Sequence, residues 1–198
     1  MLRCLLPLLL LLLPPLALAQ LPPPLDWSVL AGTCVPDESS TRLVQLDSTG
    51  VTFRPLAVAS QRPGTPLPLL VRCPIPLTGQ WRWSHLEMTL RDPDSDAPGA
   101  RIRIELKRLV LPSGANRHPP FAERIGLFDT RNRPSPDPTR LTTVLSAGRL
   151  GAMADFSRYT YWLEIAMSRD ALTTTRPRVA AVRLRWIPLE EEEDAAAP

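Results

Sequence analysis

The stretch GQWRWSHLEMTLRD, residues 79–92, reads as a β-strand whose two halves disagree. Leu86, Met88 and Leu90 alternate with Glu87, Thr89 and Arg91, the period of two that a half-buried strand requires. Counting back at that period sets Trp81, Trp83 and His85 on the face of Glu87, the polar one. Three readings compete. A bulge or bend near Ser84 flips the parity and sends the tryptophans inward with Leu86. Alternatively the rings lie outward under a loop, or under the prolines Pro22, Pro23 and Pro24. Or they form an open aromatic platform, as sugar-binding modules present tryptophan, with Trp162 as a candidate third member.

Working outward, the same short, turn-bounded apolar pattern recurs. TRLVQL (41–46) and VTFRPL (51–56) flank Asp47-Ser48-Thr49-Gly50, a hairpin signal. PLLVRCPI (68–75), WRWSHLEMTLRD (81–92), ARIRIELKRLVL (100–111), ERIGLFDT (123–130), RLTTVLSA (140–147), RYTYWLEIAMS (158–168) and RVAAVRLRWIPL (178–189) complete nine strand candidates. Ile102, Ile104 and Leu106 oppose Arg103, Glu105 and Lys107; Tyr161, Leu163, Ile165 and Met167 oppose Trp162, Glu164, Ala166 and Ser168. No segment holds a 3.6-residue period over three turns; AGRLGAMADF (147–156) comes nearest, as a short helical turn. The 24 prolines also oppose long helices. The expectation is an all-β, antiparallel two-sheet sandwich, jelly-roll or Ig-like, of about 8–9 strands with minor helix. Segments 92–99, 112–120 and 131–139, rich in Pro, Gly, Ser and Asp, read as loops at its ends.

The ends of the chain differ from its middle. Arg3, a leucine-rich run over 5–13 and Ala17-Leu18-Ala19 form a signal-peptide pattern over residues 1–19, too short and Pro-interrupted for a membrane span. A single domain is expected over 20–189, opening with the extended QLPPPLD, and a disordered acidic tail over 190–198. This implies a monomer that is secreted or periplasmic, with no span left after cleavage. Residues 20–189 carry 22 basic side chains, all Arg except Lys107, against 15 acidic ones. That balance admits an acidic polysaccharide or lipid head group as partner. Nucleic acid is excluded as a partner, because the arginines are scattered and an exported chain seldom meets it.

Cleavage would leave Cys34 and Cys73, which most simply pair in an oxidising compartment; two buried free thiols are the alternative. A metal pair lacks neighbouring ligands. The succession TCVPD, VRCPIP, LRDPDSD, IELKRL, YTYWLEIAM and VRLRWI resembles a diffuse set of uncharacterised exported bacterial β-sandwich proteins with a CVP…CP cysteine pair. The resemblance spans most of the mature chain. It implies the Cys34–Cys73 pairing and the fold class, and no activity.

Few residues invite chemistry. Asp92, Asp94 and Asp96 alternate in one loop and form a candidate structural Ca²⁺ site, but Ala97 and Arg103 occupy the positions where a helix-loop-helix calcium motif needs Gly and Glu. No G-x-S-x-G, H-E-x-x-H or phosphate-cradling glycine loop occurs. His85 and His118 are isolated; Glu87 and Glu105 are a carboxylate pair that neighbouring strands could set face to face for glycoside hydrolysis. The reading favoured is an exported, non-catalytic binding or structural module without a cofactor, its partner an extracellular polysaccharide or another cell-envelope component. The alternatives are a carbohydrate-binding module using Trp81, Trp83 and Trp162, and a secreted glycoside hydrolase.

Overall fold

A computed structural model describes residues 26–55, 67–97, 100–111, 122–131, 133–145, 153–169 and 176–187, apart from the side chains of Leu67, Trp81, Met153, Trp186 and Ile187. The signal pattern, the proline-rich lead-in before Asp26, the 112–120 loop, His118 and the acidic tail lie outside these residues.

Two antiparallel sheets carry the chain, so the all-β sandwich expected from alternation is the fold. The seven-stranded sheet holds β1 (Asp26–Leu30), β3 (Val44–Asp47), β4 (Gly50–Phe53), β6 (Gln80–Asp92), β9 (Ser135–Val144), β10 (Met153–Asp155) and β12 (Arg178–Ile187). The five-stranded sheet runs β2 (Val35–Pro36), β5 (Leu67–Pro74), β11 (Tyr159–Arg169), β7 (Arg101–Val110), β8 (Glu123–Asp129). All nine expected strands form. Three more join them: β1, β2 and β10, too short to leave a periodicity of their own. Residues 153–155, read as part of a helical turn, are instead β10, pairing with Gln80–Arg82. Ser135 onward, read as loop, is strand; Pro136 and Pro138 are tolerated because, among the described residues, β9 lies at an edge and is bonded only to β6. Among the described residues, helix includes two three-residue 3-10 turns, Ala31–Thr33 and Glu38–Ser40.

Alternation explains which side chains fill the core. Leu69, Val71 and Cys73 from β5, Ile102, Ile104 and Leu106 from β7, and Tyr161, Leu163, Ile165 and Met167 from β11 are buried from one side. Phe53, Leu86, Met88, Leu90, Val179, Val182 and Leu184 meet them from the other. Full burial of each such side chain contributes about 1.5–3 kcal/mol.

The parity conflict in β6 is resolved by a bulge at Ser84. Register with β12 runs Leu86↔Leu184 and His85↔Arg185, then jumps to Trp83↔Trp186, leaving Ser84 as the extra residue. The extra residue turns Trp83 to the face of Leu86, where it is 3% exposed. There it meets Tyr161 and Phe156 edge-on, at centroid distances of 4.9 and 6.0 Å.

Cys34 and Cys73 are disulfide-bonded across a Cα–Cα distance of 4.5 Å. The pairing of Val35 with Arg72 sets the two cysteines opposite one another in the next register position. Since β1 belongs to one sheet and β2 to the other, the bond fastens the chain where it crosses between layers.

Candidate functional site

The sites expected from sequence come apart in three dimensions. Trp83 is sealed in the core, so it offers no ring face to a sugar. Trp162 keeps its outward side, but on the five-stranded sheet, half-buried between Pro74 and Lys107 in register. The five-stranded sheet therefore lies between the two rings, and no platform joins them. The backbone of Trp81 pairs with Ala154; its side chain lies outside the described residues.

The carboxylate pair also dissolves. Glu87 lies on the outer face of the seven-stranded sheet and Glu105 on the outer face of the other, at opposite sides of the sandwich. Glu105 faces Glu164 instead, and Lys107 Nζ joins them, 3.1 Å from Glu105 Oε2 and hydrogen-bonded to Glu164. Arg103 and Arg124 add to Glu105, Arg72 to Glu164. Burial pushes Glu105 up, but the Lys107 bond and charge, with Arg103 and Arg124, outweigh it and hold the carboxyl below its usual range. An acid so held is ionised at neutral pH, the wrong state for protonating a leaving group.

Asp92 is 1% exposed and turned inward, accepting a hydrogen bond from Thr130 Oγ1, which itself accepts one from the Ile102 amide at 2.8 Å. Asp94 lies half-buried and Asp96 exposed in the turn beyond it, which the Ala97 amide closes onto the Asp94 carbonyl at 2.9 Å. Asp92, Asp94 and Asp96 thus do not converge, and among the described residues no group of three His, Cys, Asp or Glu side chains is placed to hold a metal ion.

The structure assembles a different site. Along β12, hydrogen bonding passes from β4, which reaches Val179, to β1, which begins opposite Ala181. Ala180 between them is a bulge residue, unmatched on β6, where Val179 pairs with Leu90 and Ala181 with Thr89. A cleft of about 600 Å³ opens here, lined by Thr49, Thr52, Thr89, Arg91, Arg176 and Arg178, with Ala180, Leu90 and Pro138. Thr52, Arg178 and Arg91 stand in one lateral row across β4, β12 and β6. Gly50 lets β4 close in beside it: at φ 124°, a Cβ there would meet the Val179 carbonyl oxygen at 2.0 Å.

Local bonds orient the lining. Arg91 Nε donates to the Pro136 carbonyl at 2.7 Å; Thr52 Oγ1 donates to the Pro177 carbonyl at 2.7 Å. Arg178 donates to Thr49 Oγ1, whose hydroxyl in turn donates to Asp47. A second cleft of about 290 Å³ shares Thr89 and continues over Glu87, Arg140, Arg183 and Ser28. There Glu87, 7% exposed, gathers Arg140, Arg185 (2.7 Å) and Arg183 (4.0 Å).

Sequence reasoning passed over these residues. The outward parity of Thr89 and Arg91 was legible, as was the excess of arginine. What could not be read was that β4, β6 and β12 lie side by side.

No family model matches the chain, and no curated protein matches it. Among solved structures it is similar to a xylan-binding module, CBM15, at TM-score 0.45 and 10% identity over 81% of this chain and 95% of that one. It is also similar to the Podospora anserina GH26-CBM35 β-(1,4)-mannanase, at TM-score 0.40 and 10% identity over 82% of this chain and 28% of the other. A family two carbohydrate esterase from Cellvibrio japonicus gives TM-score 0.29 and 12% identity, with coverage of 82% and 35%. Overlap this distant carries no argument about chemistry.

Proposed function

We propose that this chain is an exported, non-catalytic β-sandwich binding module whose ligand is a polysaccharide lying in the cleft at Ala180. The observation that carries the reading is the lining: three threonines and three arginines around about 600 Å³ on the outer face of a sheet. The Thr49 and Thr89 hydroxyls and the three guanidinium groups are hydrogen-bonding partners for a polyhydroxylated chain, whereas Thr52, 2% exposed, already donates its hydroxyl to Pro177. Among the described residues the lining contains no carboxylate, histidine or cysteine to serve as acid, base or nucleophile. Continuity with the second cleft through Thr89 suits an extended ligand rather than a compact one. Export rests on the signal pattern over residues 1–19 and on the formed disulfide, which persists in oxidising compartments.

Amide chemical-shift mapping with a panel of soluble polysaccharides tests this. The amides of Thr52, Thr89 and Ala180 should shift while that of Glu105, on the opposite sheet, stays fixed. Shifts confined to the five-stranded sheet, or none with any polymer, would refute it. N-terminal sequencing of the exported protein should begin at Gln20.

A further inference from the structure

Resting on that reading of the cleft, we infer that its ligand is an acidic polysaccharide, a linear glycan carrying carboxylate or sulfate groups, held by Arg91, Arg176 and Arg178.

The first reason is charge placement. Arg91 and Arg178 are direct cross-strand partners on β6 and β12. Like charges directly opposed on neighbouring strands are unfavourable unless something lies between them. Elsewhere on the molecule that something is a protein carboxylate. Glu87 stands among Arg140, Arg183 and Arg185, and on the far sheet Glu105 and Glu164 neutralise Arg72, Arg103, Lys107 and Arg124. Around the cleft, no carboxylate among the described residues is ion-paired with Arg91, Arg176 or Arg178. Asp47 and Asp94 feel the charges of Arg178 and Arg91 respectively, but neither is within ion-pair distance, and Asp47 is linked to Arg178 by hydrogen bonds only through Thr49.

The second reason is the absence of a stacking surface. Neutral sugars present apolar C–H faces that bind well against aromatic rings. Among the described residues the cleft lining holds no aromatic side chain; its apolar members are Leu90, Pro138 and Ala180. Affinity must then come from polar contacts, and the strong ones are charge-assisted: a guanidinium fork meets a carboxylate or sulfate through two parallel hydrogen bonds. Arg91 is suited to this. Its anchoring bond to Pro136 uses Nε, and no bond among the described residues occupies its two terminal nitrogens. The same absence of rings disfavours single-stranded nucleic acid, whose bases need stacking partners.

The test is affinity electrophoresis and calorimetry of the full exported protein against polygalacturonate, dextran sulfate, uncharged dextran and oligo-dT, at low and at physiological salt. Polygalacturonate, dextran sulfate or both should bind, more weakly as salt rises. Arg91→Ala and Arg178→Ala should each weaken that binding about 5- to 20-fold, as loss of one charge-assisted contact does. Arg91→Lys, which keeps the charge but not the fork, should fall between wild type and Arg91→Ala. Arg42→Ala, an exposed arginine outside the cleft, should bind as wild type, and unchanged thermal midpoints would confirm folding. Preference for polygalacturonate or for dextran sulfate assigns the anion as carboxylate or sulfate. Dextran binding equal to dextran sulfate, unaffected by the arginine variants, overturns this inference and leaves the polysaccharide reading standing. Binding to none of the polymers overturns both, and oligo-dT binding as strong as the acidic glycans marks an unspecific polyanion surface and overturns this one.

Discussion

Trp83 of the seven-stranded sheet stands edge-on to Tyr161 of the five-stranded sheet, with ring centroids 4.9 Å apart and planes 84° apart. This contact spans the two layers, and Phe156 packs against both rings. Trp83→Ala should therefore cost about 3–5 kcal/mol in chemical denaturation, the range for emptying a buried aromatic site. Trp83→Phe should cost less and leave polysaccharide affinity unchanged, since the ring faces away from the cleft. Loss of binding in a folded Trp83→Phe protein would contradict this placement.

Glu87 predicts a particular pH dependence. Burial pushes its carboxyl up, but the Arg140 hydrogen bond and charge, with Arg185 and Arg183, outweigh burial and hold it below its ordinary 4.5. A carboxylate depressed in the folded state stabilises fully above its unfolded pKa, and that stability disappears as pH falls through the folded value. Glu87→Gln should cost about 1–2 kcal/mol at pH 7, a charged hydrogen bond discounted for its half-exposed arginines. The gap between wild type and variant should close below pH 4.5, as followed by urea denaturation across pH.

Asp92 should show the opposite sign. Burial raises its pKa above 3.8, with Asp94 and Asp129 adding to the effect, against the bond from Thr130 and the nearby Ile102 amide. A raised carboxyl stabilises while protonated, and the contribution declines as pH climbs through the folded value. The stability of wild type minus that of Asp92→Asn should thus be largest at low pH and shrink toward neutrality. If millimolar Ca²⁺ left both melting temperatures unchanged, this loop would be a turn and no metal site.

The Cys34–Cys73 bond closes a loop with a sequence separation of 39. Its removal should lower stability by about 4 kcal/mol on the loop-entropy model. Denaturation of Cys34→Ser/Cys73→Ser, or of the reduced protein, measures this. The β1–β2 crossing should be the first region to lose amide protection.

Gly50 combines a positive φ with a backbone carbonyl in the space of its missing side chain. Gly50→Ala should cost about 3 kcal/mol, strain and overpacking together. Because β4 borders the cleft, the variant should also weaken polysaccharide binding at temperatures where it remains folded.

Much of this molecule was readable from local pattern. Ile102–Leu106 and Tyr161–Met167 fill the core as their alternation required, because a strand's side chains must point to opposite faces whatever surrounds it. The break in that alternation before Leu86 marked Ser84 as one place where regular pairing could fail. The chemistry was less legible. Glu87 and Glu105 look alike in sequence yet occupy opposite surfaces, and Asp92 looks like a ligand yet bonds inward to Thr130.

The chain by itself determined nine of the twelve strands described, the face each residue takes along most of them, and the two cysteines that pair. Only the tertiary structure decided which strands are neighbours, and so that Arg91 and Arg178 stand side by side over Ala180. The reason is physical. A side chain's direction follows from the backbone within two residues, whereas its neighbour across a ladder is chosen by hydrogen bonding between segments far apart in the chain.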